Sequence, residues 1–154
     1  MIALVQIETP QQVEDARQLL REYEASLNVS LCFQGFEQEL AELPGDYAPP
    51  RGRLLVGYDG GRPAGCIALR ALDDETCEMK RLYLRPGFRG KGAGRQMAAA
   101  VIEQARQLGY KRMRLDTLAA MQEARALYES LGFKPIEPYY HNPHPGTEFM
   151  ELEL

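Results

Sequence analysis

A chain of 154 residues, 45% hydrophobic and 26% charged, has the length and balance of an ordinary globular domain with a single core. No apolar run approaches the ~20 residues that a membrane helix needs, and no basic flank precedes a long apolar core at the N-terminus, so a single cytoplasmic domain is expected, with no membrane partner. The net charge of −4 hides one basic stretch: Lys80, Arg81, Arg85, Arg89, Lys91 and Arg95 lie in an interval from Met79 to Ile102 that holds no acid. So short a basic footprint on an acidic body attracts little nucleic acid and suits one compact polyanion.

Ile2 to Ile7 reads as an opening strand within Met1–Glu8. Thr9-Pro10-Gln11-Gln12 then offers an N-cap, a proline at the first helical position and a capping-box glutamine. Val13, Ala16, Leu20 and Tyr23 recur at helical spacing to give a first amphipathic helix. Phe33, Phe36, Leu40 and Leu43 suggest a second, shorter one that ends at Pro44-Gly45. Asp46 to Arg53 is a Pro/Gly-rich connection without period. Leu54–Tyr58, the turn Asp59-Gly60-Gly61-Arg62 and Pro63–Leu69 form a hairpin, because Asp-Gly tolerates positive φ. Asp73-Asp74-Glu75 turns the chain into Thr76–Leu84, giving three consecutive antiparallel strands.

A helix is expected from about Lys91 to Leu108, with Met97, Val101, Ala105 and Leu108 inward and Gly109 as its stop. Arg112–Thr117 is a strand, and Ala120–Leu131 a helix closed by Gly132. The strands that flank the helical crossover should pair in parallel. The tail from Thr147 to Leu154 alternates Met150, Leu152 and Leu154 with Glu151 and Glu153, as a strand with one wet face does. Cys32, Cys66 and Cys77 have neither CxxC nor metal-ligand spacing and no His nearby in sequence, so they read as reduced, buried packing thiols.

The stretch Arg89-Gly90-Lys91-Gly92-Ala93-Gly94-Arg95 joins the strand to the long helix. Glycines at 90, 92 and 94 let the backbone bend and bring its N–H groups toward one point. The helix start adds unpaired amides and a positive dipole end, and Arg89, Lys91 and Arg95 surround the same point, a combination suited to a diphosphate. A Walker loop would need Ser or Thr after Gly90-Lys91, where Gly92 stands. The Rossmann fingerprint would need a third glycine where Arg95 or Met97 stands.

Arg89-x-x-Gly92-x-Gly94 after a strand, Glu78 on that strand, and the later Ala124-x-x-Leu127-Tyr128-x-x-x-Gly132-Phe133 together resemble the GNAT superfamily of N-acetyltransferases. These matches run in the family's order from residue 78 to 133. The resemblance implies an α/β (α+β) fold: a mixed, mostly antiparallel sheet of six to seven strands, about four helices, and one parallel strand pair opening a cofactor cleft. It also implies acetyl coenzyme A as co-substrate, with its pyrophosphate on Arg89–Arg95. Backbone groups at Leu82, Tyr83 and Leu84, on a strand splayed from its neighbour, would hold the pantetheine and polarise the thioester. Members often carry Asn seven residues before the tyrosine; here that position is Met121.

Acyl transfer to an amine needs a neutral amine, and one of pKa ~10.4 is unprotonated only about once in a thousand near neutrality. Glu78 lies eleven positions before Arg89, the spacing at which the resembling histone acetyltransferases carry a basic glutamate, and a carboxylate in a cleft can take a proton directly or through water. Simple pairing with Lys80 or an Arg across the sheet explains Glu78 equally well. The resemblance makes Tyr128 the acid for the departing thiolate; a core tyrosine with its hydroxyl on backbone is the bland alternative.

The resemblance also makes the two N-terminal helices a wall of the acceptor site. Tyr139, Tyr140 and His141 are candidates to line it, with Glu37 and Glu42 attracting a cation, against a plain proline-stiffened surface loop. His141 and His144 have no evident third ligand, so no metal is expected. The acceptor implied is a primary amine on a small molecule. A protein N-terminus, a protein lysine, or a silent acyl-coenzyme-A sensor are the alternatives, and a homodimer is compatible with each.

Overall fold

A computed structural model describes residues 2–27, 31 and 35–154. Met1, Cys32 and Phe33, the expected start of the second helix, lie outside the described residues. The elements run β1 (Ala3–Gln6), α1 (Pro10–Leu27), α2 (Phe36–Ala41), β2 (Arg53–Asp59), β3 (Arg62–Ala71), β4 (Thr76–Leu84), α3 (Ala93–Gln107), β5 (Arg112–Thr117), α4 (Gln122–Ser130), β6 (Lys134–Ile136) and β7 (Glu148–Glu153). They build a seven-stranded sheet in the order β1-β2-β3-β4-β5-β7-β6. Every pairing is antiparallel except β4 with β5, as the crossover through α3 requires. Among the described residues no helix is long and apolar enough to cross a membrane.

Local chemistry sets the boundaries. The capping box closes in both directions: the Gln12 amide donates to Thr9 Oγ1 and the Thr9 amide donates to Gln12 Oε1, each at 3.1 Å. At the hairpin the two central residues are Gly60 and Gly61, with φ of 57° and 82°. The positive φ angles thus fall on Gly-Gly, and Asp59 is still paired with Arg62 in the ladder. The second helix stops at Ala41, short of the expected Leu43. Inside the connection that showed no period, a 3-10 turn at Gly45–Tyr47 buries Tyr47.

Both faces of the sheet are covered, which is why β2 reads as an unbroken apolar run. Leu55, Ile67, Leu69, Met79, Met113 and Leu115 pack with α3 and α4 on one face. Leu54, Val56, Cys66 and Ala68 pack on the other with Leu19 and Leu20 of α1 and Phe36 and Leu40 of α2. Cys66 and Cys77 are free and buried, and burial pushes both thiols up to about 12, which fits packing and not nucleophilic work. The β6 strand has no signal in the sequence: it is three residues long and contains Pro135, tolerated because β6 is an edge.

The antiparallel strands β3 and β4 approach closely at Gly65. A Cβ there would lie 2.3 Å from the Tyr83 carbonyl oxygen and 2.9 Å from Leu84 Cδ2. Gly65→Ala is therefore expected to force β3 and β4 apart and lower stability by about 1–3 kcal/mol. A urea titration checks this; a midpoint equal to that of the parent would show that β4 has room to move.

Candidate active site

The parallel pairing is short. Thr76, Cys77 and Glu78 match Arg112, Met113 and Arg114, and after that β4 continues along β3 while β5 continues along β7. The gap holds a cavity of about 30 Å³ lined by Leu82, Asp116, Met121 and Tyr128, among others. The expected splay is therefore present, and it begins right after Glu78.

A bulge shapes the outgoing half of β4. Ala68 faces Lys80 and Cys66 faces Tyr83, so Arg81 and Leu82 together oppose the single residue between. Arg81 takes φ of 62°, the one non-glycine with positive φ among the described residues. Strict alternation would turn Arg81 away from Lys80. The extra residue instead buries Arg81 against α2, where its Nε and Nη2 donate to Glu39 at 3.0 and 2.9 Å and its guanidinium lies 5.2 Å from the Phe36 ring.

Beyond β4, a 3-10 turn at Pro86–Phe88 leads into the glycine stretch. Gly90 and Gly92 both have φ of 79°, and Gly92 caps α3 without any side-chain bond. The first amides of α3, on Ala93, Gly94 and Arg95, therefore have no intrahelical acceptor. Nothing lies within 4 Å of an ideal Cβ at Gly90 or Gly92, so the ground before this turn is open. Gly94 differs: its Cβ would meet Leu84 and Leu127 at 3.6 and 3.8 Å, ordinary contact, so this glycine does not make the bend.

Fewer cations serve the turn than the composition implied. Arg85 is bound by Glu22 at 3.0 and 2.8 Å, and Arg81 by Glu39, so both are spent on the α1–α2 side. Lys80 lies beside Glu78, which leaves Arg89, Lys91 and Arg95, all exposed. Arg89 Nε donates to the Leu84 carbonyl at 2.8 Å, which occupies one of the acceptors expected for the ligand. Arg95 Nη1 donates to Ser130 Oγ at 2.7 Å, tying the turn to α4. Tyr83 is buried and its hydroxyl donates to Glu22 at 3.3 Å.

Tyr128 is buried and lies edge-on to Phe133, with 5.8 Å between ring centres. Among the described residues no hydrogen bond ties its hydroxyl to backbone. Burial, with smaller contributions from Tyr23 and Asp116, raises its pKa, so the phenol keeps its proton more firmly than the ordinary value would suggest.

On the sheet's other face a cleft of about 500 Å³ is bounded by Glu39, Glu42 and Tyr47, by Arg70, Glu78 and Lys80, and by Tyr140 and His141. Glu78 is 1% exposed; Oε1 accepts from Arg70 Nε at 2.8 Å and Oε2 from the Tyr139 hydroxyl at 2.6 Å. It is thus both a cleft residue and a paired one. Tyr139 and Tyr140 are anchored and not a free loop: Tyr140 donates to Asp116, and both rings pack on Phe149 at 5.3 and 5.2 Å. Glu37 falls outside the cleft and pairs with Arg21 at 3.5 Å, whereas Glu42 lines it.

Sequence reasoning missed Arg70, Lys80 and Asp116 as site residues, and Phe149 as an anchor. Arg70 and Lys80 had usable signals: counting back across the turn after Ala71 sets Arg70 opposite Glu78, as the register has it, and Lys80 is two residues beyond Glu78 on the same strand face. Phe149 escaped because the tail's alternation shows one apolar face, and its second apolar contact is made by the tyrosine loop.

Residues 14–133 match the model of the acetyltransferase (GNAT) family. An uncharacterised N-acetyltransferase of Schizosaccharomyces pombe is 41% identical over 99% of this chain and 95% of its own length. Among solved structures, an acetyltransferase from Streptococcus agalactiae superposes with TM-score 0.82 at 22% identity, over 99% of this chain and 98% of its own. A GNAT-family acetyltransferase from Elizabethkingia anophelis with acetyl-CoA bound does so with TM-score 0.70 at 21% identity, over 99% and 98%. The last two likenesses speak for the fold.

Proposed function

This chain belongs to the acetyltransferase (GNAT) family, and from that premise we propose that it moves the acetyl group of acetyl coenzyme A to a primary amine of a small molecule by direct attack in a ternary complex. One observation carries the reading: the β4–β5 gap with Tyr128 in its wall opens beside an acceptor-sized cleft on the same strand. In it the diphosphate sits on the amides and cations of Arg89–Arg95, and the pantetheine follows the freed edge of β4 at Leu82–Leu84. The amine approaches through the larger cleft, drawn by Glu42 and Glu78. The oxyanion of the tetrahedral adduct is met by β4 backbone, and the departing thiolate takes the Tyr128 proton. The enclosure of the cleft by α2 and the anchored tyrosine loop favours a small acceptor over a protein one.

Thiol release measured against a panel of amines tests this. Wild-type protein is expected to turn over at least one of them. Tyr128→Phe should lower kcat by about 10²-fold, at the modest end of proton-transfer catalysis, with KM for acetyl coenzyme A unchanged. Stabilisation by acetyl coenzyme A without release against any amine would favour the sensor reading. Full activity in Tyr128→Phe would remove it as the acid.

A further inference from the structure

We infer that Lys80 is the group that takes the proton from the incoming ammonium, at the point where the acceptor cleft and the coenzyme gap meet. The inference rests on the acetyl-transfer reading above. Among the described residues Lys80 alone lines both cavities. Its side chain is 9% exposed, on the same face of β4 as Glu78, with Nζ 3.8 Å from Glu78 Oε1. The bulge that follows lets Lys80 share this face with Arg81 and Tyr83, so the chain reserves for Lys80 the one position on β4 that touches both compartments.

Charged groups surround it on every side. Arg70 comes from β3, Glu78 and Arg81 from β4, and Asp116 from β5. Glu39, Glu42, Asp46, Tyr47, Tyr140 and His141 line the same cleft. Tyr23 of α1 and Tyr128 of α4 are its neighbours in the gap. Burial is the largest influence and lowers the ammonium's pKa; Arg81 and Arg70 lower it further, and Glu78 and Asp116 oppose them, leaving it at about 8. Near pH 8 about half of Lys80 is therefore a neutral amine. An ordinary carboxylate, with pKa ~4.3, is a weaker base by roughly three to four powers of ten. Glu78 has both oxygens engaged by Arg70 and Tyr139, so it acts as a positioning residue that holds Lys80 and the loop.

The step balances. Neutral Nζ of Lys80 takes one proton from the acceptor ammonium. The freed nitrogen lone pair forms the C–N bond to the thioester carbonyl, and the adduct collapses with the C–S bond breaking and its electron pair leaving on sulfur. The thiolate takes the proton held by the Lys80 ammonium, either directly or from Tyr128, which Lys80 then reprotonates, and the surplus proton on the new amide goes to water. One proton is released per acetyl transferred.

The rate should rise about tenfold per pH unit below pH 8 and level off above it, because only neutral Lys80 accepts a proton. With the best amine of the panel, Lys80→Arg is expected to lose about 10²-fold in kcat at pH 8 while KM for acetyl coenzyme A holds. Lys80→Cys alkylated with 2-bromoethylamine places a weaker amine at the same position; activity should return with the pH limb displaced to lower pH, against equally treated wild type. Hydroxylamine, already neutral at pH 7, should be acetylated by Lys80→Arg with a much smaller deficit. A wild-type pH limb in Lys80→Arg, or a limb abolished by Glu78→Gln and untouched at Lys80, overturns the inference. Competitive labelling with acetic anhydride, read by mass spectrometry, needs no acceptor: half-maximal reactivity of Lys80 near pH 8 supports the assignment, and a midpoint near 10 overturns it. If no amine is turned over by wild type, the parent reading falls by a separate result.

Discussion

Gly92→Glu is expected to weaken acetyl coenzyme A binding by about 10³-fold while the protein stays folded. Gly92 caps α3 with φ of 79°, and no atom lies within 4 Å of where its Cβ would be, so a side chain there enters open ground and not the core. A non-glycine in this left-handed conformation costs about 1–3 kcal/mol. In the proposed complex the new carboxylate would also face the diphosphate at the first amides of α3, and like charges so juxtaposed cost several kcal/mol. The strain is present with or without ligand and lowers folding stability, so the charge term, at about 4 kcal/mol, carries the thousandfold estimate. Gly92→Ala separates the terms, since it keeps the strain and lacks the charge. Arg89→Glu, at an exposed position, should weaken binding in the same direction. Calorimetric titration measures all three, and affinities equal to wild type would move the phosphates elsewhere.

Glu39→Ala should cost about 3–5 kcal/mol of folding stability, the usual loss when one partner of a buried ion pair is removed. The Arg81 side chain is 3% exposed and that of Glu39 18%, and the pair is bidentate. Burial alone would lower the guanidinium's pKa, but Glu39, together with Tyr47 and Tyr23, more than offsets it, so the group remains charged and needs its carboxylate. The Tyr47 hydroxyl shares that carboxylate, and with Glu39 beside it burial raises its pKa. In a protein of this size the melting temperature should fall by roughly 10 °C or more. Glu39→Gln keeps a neutral acceptor and should fall between the two. Scanning calorimetry decides, and a loss below about 1 kcal/mol would mean that Arg81 finds water or another acid.

The sheet's local order was legible because its signals are local. Thr76–Leu84 and Arg112–Thr117 are the predicted strands to the residue, each bounded by turn residues or a helix stop. The Thr9–Gln12 capping box closes over three residues, and Gly92 and Gly109 bound α3. What was not legible depends on partners far along the chain. Arg81 meets Glu39 across 42 positions, and no propensity foretells an arginine at positive φ. The bulge then decides which side chains beyond Lys80 share the cleft face, so Arg81 could not be placed there by alternation. Glu78 was found by its spacing from the turn, but its partners Arg70 and Tyr139 come from β3 and from a loop 61 residues away. The basic stretch was overcounted for the same reason: two of its arginines answer carboxylates on helices that composition does not locate.

A crystal structure of the protein with coenzyme A would show where the coenzyme lies. Diphosphate oxygens within hydrogen-bond reach of the amides and guanidinium groups of Arg89–Arg95, with sulfur in the gap beside the Tyr128 hydroxyl, are the expected result. A diphosphate bound on any other surface, or a sulfur lying outside the space between β4 and β5, would contradict this placement.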